Sequence, residues 1–382
     1  MGKWREYKIS DIAILKKDSW KVGDEELPYL GLEHIEEAKL RLNGVGSSND
    51  VASNKYHFKA SDILFGKLRP YFRKVVQPNF DGICSTDIWV INATDKSDVN
   101  FLFYFFANQE LIDLSYSSSS GTRMPRADWK FLSQTLWEVP PLKEQKAIAQ
   151  VLSSLDDKID LLHRQNKTLE EMAQTLFRQW FIEEAKDEWE EKPLSDFGDI
   201  ICGKTPSKKK PEYHNGTIPF IKIPDMHGNT FIFNTTDTLT EEGSNSQKNK
   251  LLPPKSICVS CIATVGLVSM NIIESQTNQQ INSIIPKQEN FRYFLYLYMK
   301  SSYDLLHAMA SGGTATLNLN TGDFKKMGVI KPGEDTLDNF HALIEPLFNK
   351  VFVNQQQIKI LENMRDTLLP KLMSGEVRIQ CS

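Results

Sequence analysis

The sequence is written twice. Trp4 and the pair Ser10–Asp11 recur as Trp189 and Ser195–Asp196, an offset of 196 − 11 = 185 residues. PYLGLEHI at Pro28–Ile35 returns as PFIKIPDM at Pro219–Met226, and Gly121–Thr122 as Gly313–Thr314. Asp128-Trp129-Lys130 matches Asp323-Phe324-Lys325, and LEEMAQTL at Leu169–Leu176 matches LENMRDTL at Leu361–Leu368, an offset of 361 − 169 = 192. A repeat this long forces a fold of two similar units, each a mixed globular part followed by a long helix.

The helical blocks carry the clearer signal. From Lys143 to about Phe181 there is no Pro or Gly. Apolar residues fall at Ile148, Leu152, Leu155, Ile159, Leu162, Leu169, Ala173, Leu176 and Trp180, in steps of four and three that only Asn166 interrupts. That is the 3.5-residue repeat of a coiled-coil seam. Displaced by 192, the same seam runs from Phe340 to Leu372 with polar breaks at Asn354 and Arg365. Proline lacks the N–H of a helix interior, so Pro346 is expected to start or kink the second helix and Pro370 to bend or end it.

The globular stretches hold β-rich runs (WVI, FIKI, ICVSCIA, INSII) broken by Gly, Pro, Asn and Ser clusters. The expected fold is mixed α/β, with domains at 1–142 and 188–335 and long helices at 143–187 and 336–382. The 382 residues, 40% hydrophobic and 25% charged, suit two or three globular domains. No apolar run is long enough to cross a bilayer, and the five scattered cysteines suit a reducing cytoplasm. Cys258 and Cys261 form a lone C-x-x-C with no second pair at zinc-ligand spacing, so a strand with two small buried thiols is expected, and no metal site.

Gly198–Thr205, GDIICGKT, matches the G-x-x-x-x-G-K-[ST] phosphate loop. That chemistry needs a buried strand before the loop and a helix after it. The preceding EWEEKPLSDF is too polar and the following PSKKKPEYHNG carries two prolines, so a nucleotide site is the rival reading and not the favoured one. The seven histidines sit singly, with no H-E-x-x-H and no G-x-S-x-G, and no N-P-P-Y- or D-P-P-Y-type stretch occurs. No catalytic activity is expected of the chain.

Basic and amide-rich loops point to nucleic acid. FGKLRPYFRK carries Lys67, Arg69, Arg73 and Lys74 among Tyr71 and Phe72, and SSSSGTRMPRADWK carries Arg123, Arg126 and Lys130. In the second repeat, Lys204, Lys208, Lys209 and Lys210 cluster. SQTNQQIN offers Gln276, Asn278 and Gln279, and SGGTATLNLNTGDFKK offers Thr314, Asn318 and Asn320. Arg grips guanine bidentately, Asn and Gln suit adenine edges, and Lys, Ser and Thr hold phosphates. The net charge of −4 counts against a free-standing nucleic-acid binder, so the cations must be concentrated on one face or supplemented by partners.

With the repeat laid out, the chain resembles the specificity subunits of type I restriction–modification systems along nearly its whole length. The resemblance rests on VPPLKEQKAIAQVL entering the first helix, LENMRDTLLPKLMSGEV closing the second, and ICGKTPSKKKPEYHNGTIPFIKI opening the second globular part. It implies two target-recognition domains, each reading one half of a split DNA site, and two antiparallel spacer helices related by a pseudo-twofold axis. It further implies double-stranded DNA, two methyltransferase subunits and two motor-nuclease subunits as partners. S-adenosylmethionine, ATP and magnesium then enter only through those partners, and the location is cytoplasmic without a membrane. A purely structural coiled-coil scaffold is the second rival.

A helix of about 40 residues spans roughly 60 Å, enough to set two readers one DNA turn, roughly 34 Å, or somewhat more apart. A twofold axis through position 164 of the first helix would place Asn166 opposite Asn354. The expectation is that these two amides pair across the seam, against the alternative that each lies at its edge in water.

Overall fold

The structure, a computed structural model, describes residues 3–117, 124–311 and 317–379. It divides into two compact units, one formed by residues 1–160 and 359–382 and the other by residues 161–358. The boundaries differ from a division into domains and free helices, because each unit includes a portion of both long helices. The reason is burial: the apolar helix faces are packed against the adjoining sheets as well as against each other.

The first long helix runs Leu142–Arg178 and continues in a π turn, Gln179–Glu183. The second runs Glu334–Met373, passing through both Pro346 and Pro370. Pro346 therefore does not start the helix, which begins well before it. A proline removes one backbone bond, and buried Phe340, Ile344, Phe348 and Val351 on either side hold the helix through it. Every expected seam position, from Ile148 to Trp180 and from Phe340 to Leu372, is buried or half-buried.

In the first unit, Arg5–Lys8 pairs antiparallel with Leu136–Val139, closing the start of the globular part onto its end. A four-stranded sheet follows the order Ala13–Lys16, Ile88–Ala93, Ile63–Gly66, Val75–Val76. A five-stranded sheet is built from short strands around Lys55–Phe58 and Gly82–Cys84. The Val99–Ala107 helix, capped by the Asp98 carboxylate, buries seven consecutive residues from Phe101 to Ala107. They join Ile148, Leu152, Leu369 and Leu372 in one core, and each large side chain withdrawn there contributes about 1.5–3 kcal/mol. Within this unit Asp156 meets Arg365 and Glu144 meets Arg378, so the two helix portions run antiparallel.

The second unit repeats the plan. Glu190–Pro193 pairs with Gly328–Lys331, and a sheet runs Gly198–Cys202, Ile281–Pro286, Ile257–Ser260, Val268–Asn271, Phe231–Ile232. A second sheet sets His214–Ile221 between Asp237–Leu239 and Gln276–Thr277. Its helix portions are also antiparallel. Asn166 meets Asn354, while the rings of Phe177, Trp180 and Phe181 lie 6.2, 5.7 and 4.7 Å from that of Phe340. Cys258 and Cys261 are buried as a strand residue and its neighbour, and burial pushes their thiols up to about 12 and about 11. No helix among the described residues is long and apolar enough to cross a membrane.

Candidate nucleic-acid interface

In the first unit, two segments far apart in sequence form one loop pair. Leu68 and Arg126 make an antiparallel bridge, Arg69 N–H donates to Pro125 O at 2.8 Å, and Ala127 N–H donates to Lys67 O at 2.9 Å. Both flanks of the Pro70–Phe72 turn, Arg69 and Arg73, are left-handed (φ 51° and 48°). That costs a non-glycine residue roughly 1–3 kcal/mol and fixes where each side chain leaves the turn. Arg69 is half-exposed and Tyr71 exposed, with Tyr71 braced edge-on by Tyr116 at 5.4 Å. Arg126 is exposed, its guanidinium bonded to both Asp87 oxygens at 3.0 and 3.4 Å.

Two of the expected basic contacts turn inward instead. Arg73 is buried, its Nε donating to Ala107 O at 2.8 Å, where a cation satisfies the carbonyl end of a helix; its guanidinium also reaches Asp366. Lys74 Nζ donates to Leu32 O at 2.8 Å. Both are placed by packing needs and are corrected to structural roles. Lys130 is exposed, Lys67 half-buried, and Arg123 lies outside the described residues.

In the second unit, Gly203–Thr205 lies along the Gln276–Gln280 segment. Lys204 N–H donates to Thr277 O at 2.9 Å, Gln247 Nε2 donates to Lys204 O at 2.7 Å, and Thr205 Oγ1 donates to Gln279 Oε1 at 2.7 Å. Lys204, Lys208, Lys209 and Gln279 are exposed; Lys210 Nζ donates to the Tyr213 hydroxyl at 2.7 Å and lies over its ring. Gln276 is fully buried, its amide donating to Ser244 Oγ at 2.9 Å, and Asn278 is buried and donates to Gln280 at 2.9 Å. Those two amides tie the loop together and are corrected to structural roles. Asn320 is also occupied, its Oδ1 capping the Thr321–Lys326 helix at the Asp323 N–H. Asn318 is exposed, and Thr314 lies outside the described residues.

The phosphate-loop match has no phosphate-loop geometry. Gly198–Cys202 is itself a strand, antiparallel to Ile281–Pro286, and no helix follows Thr205 before the short Pro211–Tyr213 turn. Gly203 is pressed onto the chain: a Cβ there would lie 2.1 Å from Asn278 O. Glu289, His341 and Glu345 bring three potential ligand atoms within 4.8 Å of one another. Arg292, however, bonds both carboxylates, which makes this an ion-pair cluster.

Sequence reasoning missed Lys16, Lys17 and Tyr56, which line a cleft of about 470 Å³ with Lys67 and Lys130 in the first unit. The available signal was the adjacent Lys16–Lys17 pair closing a strand. It also missed Asp156 and Tyr104, the partners of the polar break at Arg365. Asp156 lies one residue off the seam, and Tyr104 comes from a different element.

The chain matches the type I restriction modification DNA specificity domain twice, over residues 1–171 and 186–367. It is 34% identical to the type I restriction enzyme HindI specificity subunit of Haemophilus influenzae, across 99% of this chain and 100% of that one. It is 29% identical to the type I restriction enzyme MjaIX specificity subunit of Methanocaldococcus jannaschii, across 73% of this chain and 69% of that one. The S subunit of a type I restriction–modification system from M. genitalium, 16% identical, superposes with a TM-score of 0.58 over 97% of this chain and 96% of that chain, which shows a shared fold.

Proposed function

Because the chain belongs to the family of type I restriction–modification specificity subunits, we propose that each of its two units reads one half of a split DNA site. The observation that carries this reading is a common strand plan with different loop chemistry. The same four-strand order, extended in the second unit by Phe231–Ile232, frames Arg69, Tyr71 and Arg126 in one unit and Lys204, Gln279 and Lys208–Lys210 in the other. A duplicated frame with divergent loops gives two different sequence preferences from one architecture, because base contacts specify while backbone contacts position.

Methylation and cleavage fall to partners: two methyltransferase subunits, which bring S-adenosylmethionine, and two motor-nuclease subunits, which use ATP and magnesium. The site of action is the cytoplasm, where the DNA is. Support comes from the family and from Gly198–Thr205, which lacks the strand, loop and helix order of a phosphate loop.

The test is an exchange of residues 1–142 for the matching part of a relative, read by methylome sequencing. One half of the methylated motif should change and the other stay. A change in both halves sinks the two-reader reading, and no sequence-selective binding in the presence of the methyltransferase favours the structural scaffold.

A further inference from the structure

The cleft in the first unit has a counterpart position in the second, and the two differ in charge. In the first unit, one row across the sheet pairs Lys16 with Val90 and Val90 with Leu64. In the second, the same row pairs Ile201 with Ser283 and Ser283 with Cys258. The next residues follow from this register: Lys17 corresponds to Cys202, and Lys67, directly after its strand, to Cys261. The frame therefore folds with Ile, Cys and Cys where the first unit has three lysines. Packing does not demand cations there.

Nor are the cations all neutralised. Lys16 is spent on buried Asp62, at 2.7 Å. Lys17, Lys67 and Lys130 form no ion pair among the described residues. Lys67 is held below the usual lysine range by burial, and although Asp87 opposes this, Arg126 and Lys17 push it further down: like charges converge on the cleft. Asp128 also lines it, but its Oδ1 accepts the Lys130 N–H at 2.8 Å as the cap of the next helix. One wall is rigid, with Trp89 stacked on Phe65 at 5.4 Å and edge-on to Trp129 at 5.3 Å. Unpaired ammonium groups converging on a preformed cleft are relieved by an anion.

We propose that this cleft holds a backbone phosphate of the DNA, gripped by Lys17 and Lys67 with Lys130, and that it anchors the first unit through a contact the second lacks at the equivalent place. The proposal rests on the DNA-reading function above and adds to it a phosphodiester site outside the loops.

The test uses the full chain with its methyltransferase partner and two duplexes, one carrying the methylated motif and one scrambled. Binding is titrated between about 50 and 200 mM salt. Lys17→Ala with Lys67→Ala should reduce the slope of log affinity against log salt by about 0.9, the contribution of the one phosphate that is no longer neutralised. Both duplexes should weaken by the same factor, and Lys17→Arg with Lys67→Arg should keep the wild-type slope. An unchanged slope in the alanine variant overturns the proposal while leaving the DNA-reading function intact, as does a weakening confined to the cognate duplex, which marks a base contact. A wild-type complex that binds neither duplex overturns that function and this site together.

Discussion

Asn354 and Asn166 face each other across the two long helices of the second unit: Asn354 Nδ2 donates to Asn166 Oδ1 at 2.9 Å, and the Asn354 side chain is wholly buried. Asn354 Oδ1 has no partner of its own among the described residues, so the pair is satisfied on one side only. Replacing either residue alone by Leu strands the other amide and should lower stability by about 1–3 kcal/mol. Replacing both should recover or exceed wild-type stability while freeing the register. Urea unfolding of the three variants checks this; a double variant less stable than either single one refutes it.

Arg365 and Asp156 form the corresponding polar break in the first unit. Arg365 is buried and donates to Asp156 Oδ1 at 2.8 Å, while the Tyr104 hydroxyl donates to Asp156 Oδ2 at 2.7 Å. At an offset of 192 the second unit has Ala173, Phe348 and Tyr296 in these places, all buried, with Phe348 edge-on to Tyr296 at 5.3 Å. Arg365→Met should cost about 1–3 kcal/mol because it leaves the half-buried Asp156 carboxylate with the Tyr104 hydroxyl but without its cation. Arg365→Ala with Asp156→Phe, which reproduces the apolar arrangement, should regain most of that stability. Thermal unfolding in which the double variant is no better than Arg365→Met would contradict the equivalence.

Glu144 gives the chain a pH dependence. Its bond to Arg378, at 2.7 Å from Nη2 to Oε2, holds its carboxyl below the usual glutamate range. A depressed folded-state pKa stabilises above the unfolded value, and the benefit disappears as pH falls through the folded one. Glu144→Gln should therefore be less stable than wild type at pH 7 by on the order of 1 kcal/mol, with the gap closing below about pH 4. Denaturation curves at the two pH values measure it; a gap that persists in acid means the bond, not the charge, is what matters.

Gly203 sits where a phosphate loop would need an open cradle. Gly203→Ala should destabilise by about 1–3 kcal/mol through contact with the Asn278 and Thr277 carbonyls. Lys204→Ala, at an exposed side chain, should leave stability within about 0.5 kcal/mol of wild type. Magnesium–ATP should not raise the melting temperature of the wild-type chain, since a ligand stabilises only what it binds. A saturable rise, abolished in Lys204→Ala, would restore the nucleotide reading.

The duplication, the helical seam and the family were legible in the sequence, because a repeat and a 3.5-residue period are one-dimensional signals. Asn166 and Asn354 were legible for the same reason: once the helices are antiparallel, symmetry alone sets the register. What the sequence could not rank was its polar side chains. Arg73 and Arg69 lie four residues apart in one basic run, yet one caps a helix from inside the core while the other stays half-exposed. Gln276 and Gln279 divide in the same way across one loop. Charge and amide content are properties of a residue. Whether they face a carbonyl or the solvent depends on which distant segment, such as Ala107 or Ser244, folds against them. The cleft at Lys17 and Lys67 was invisible for that reason too, since the two lysines follow separate strands, which only the sheet sets on either side of Ile88–Ala93.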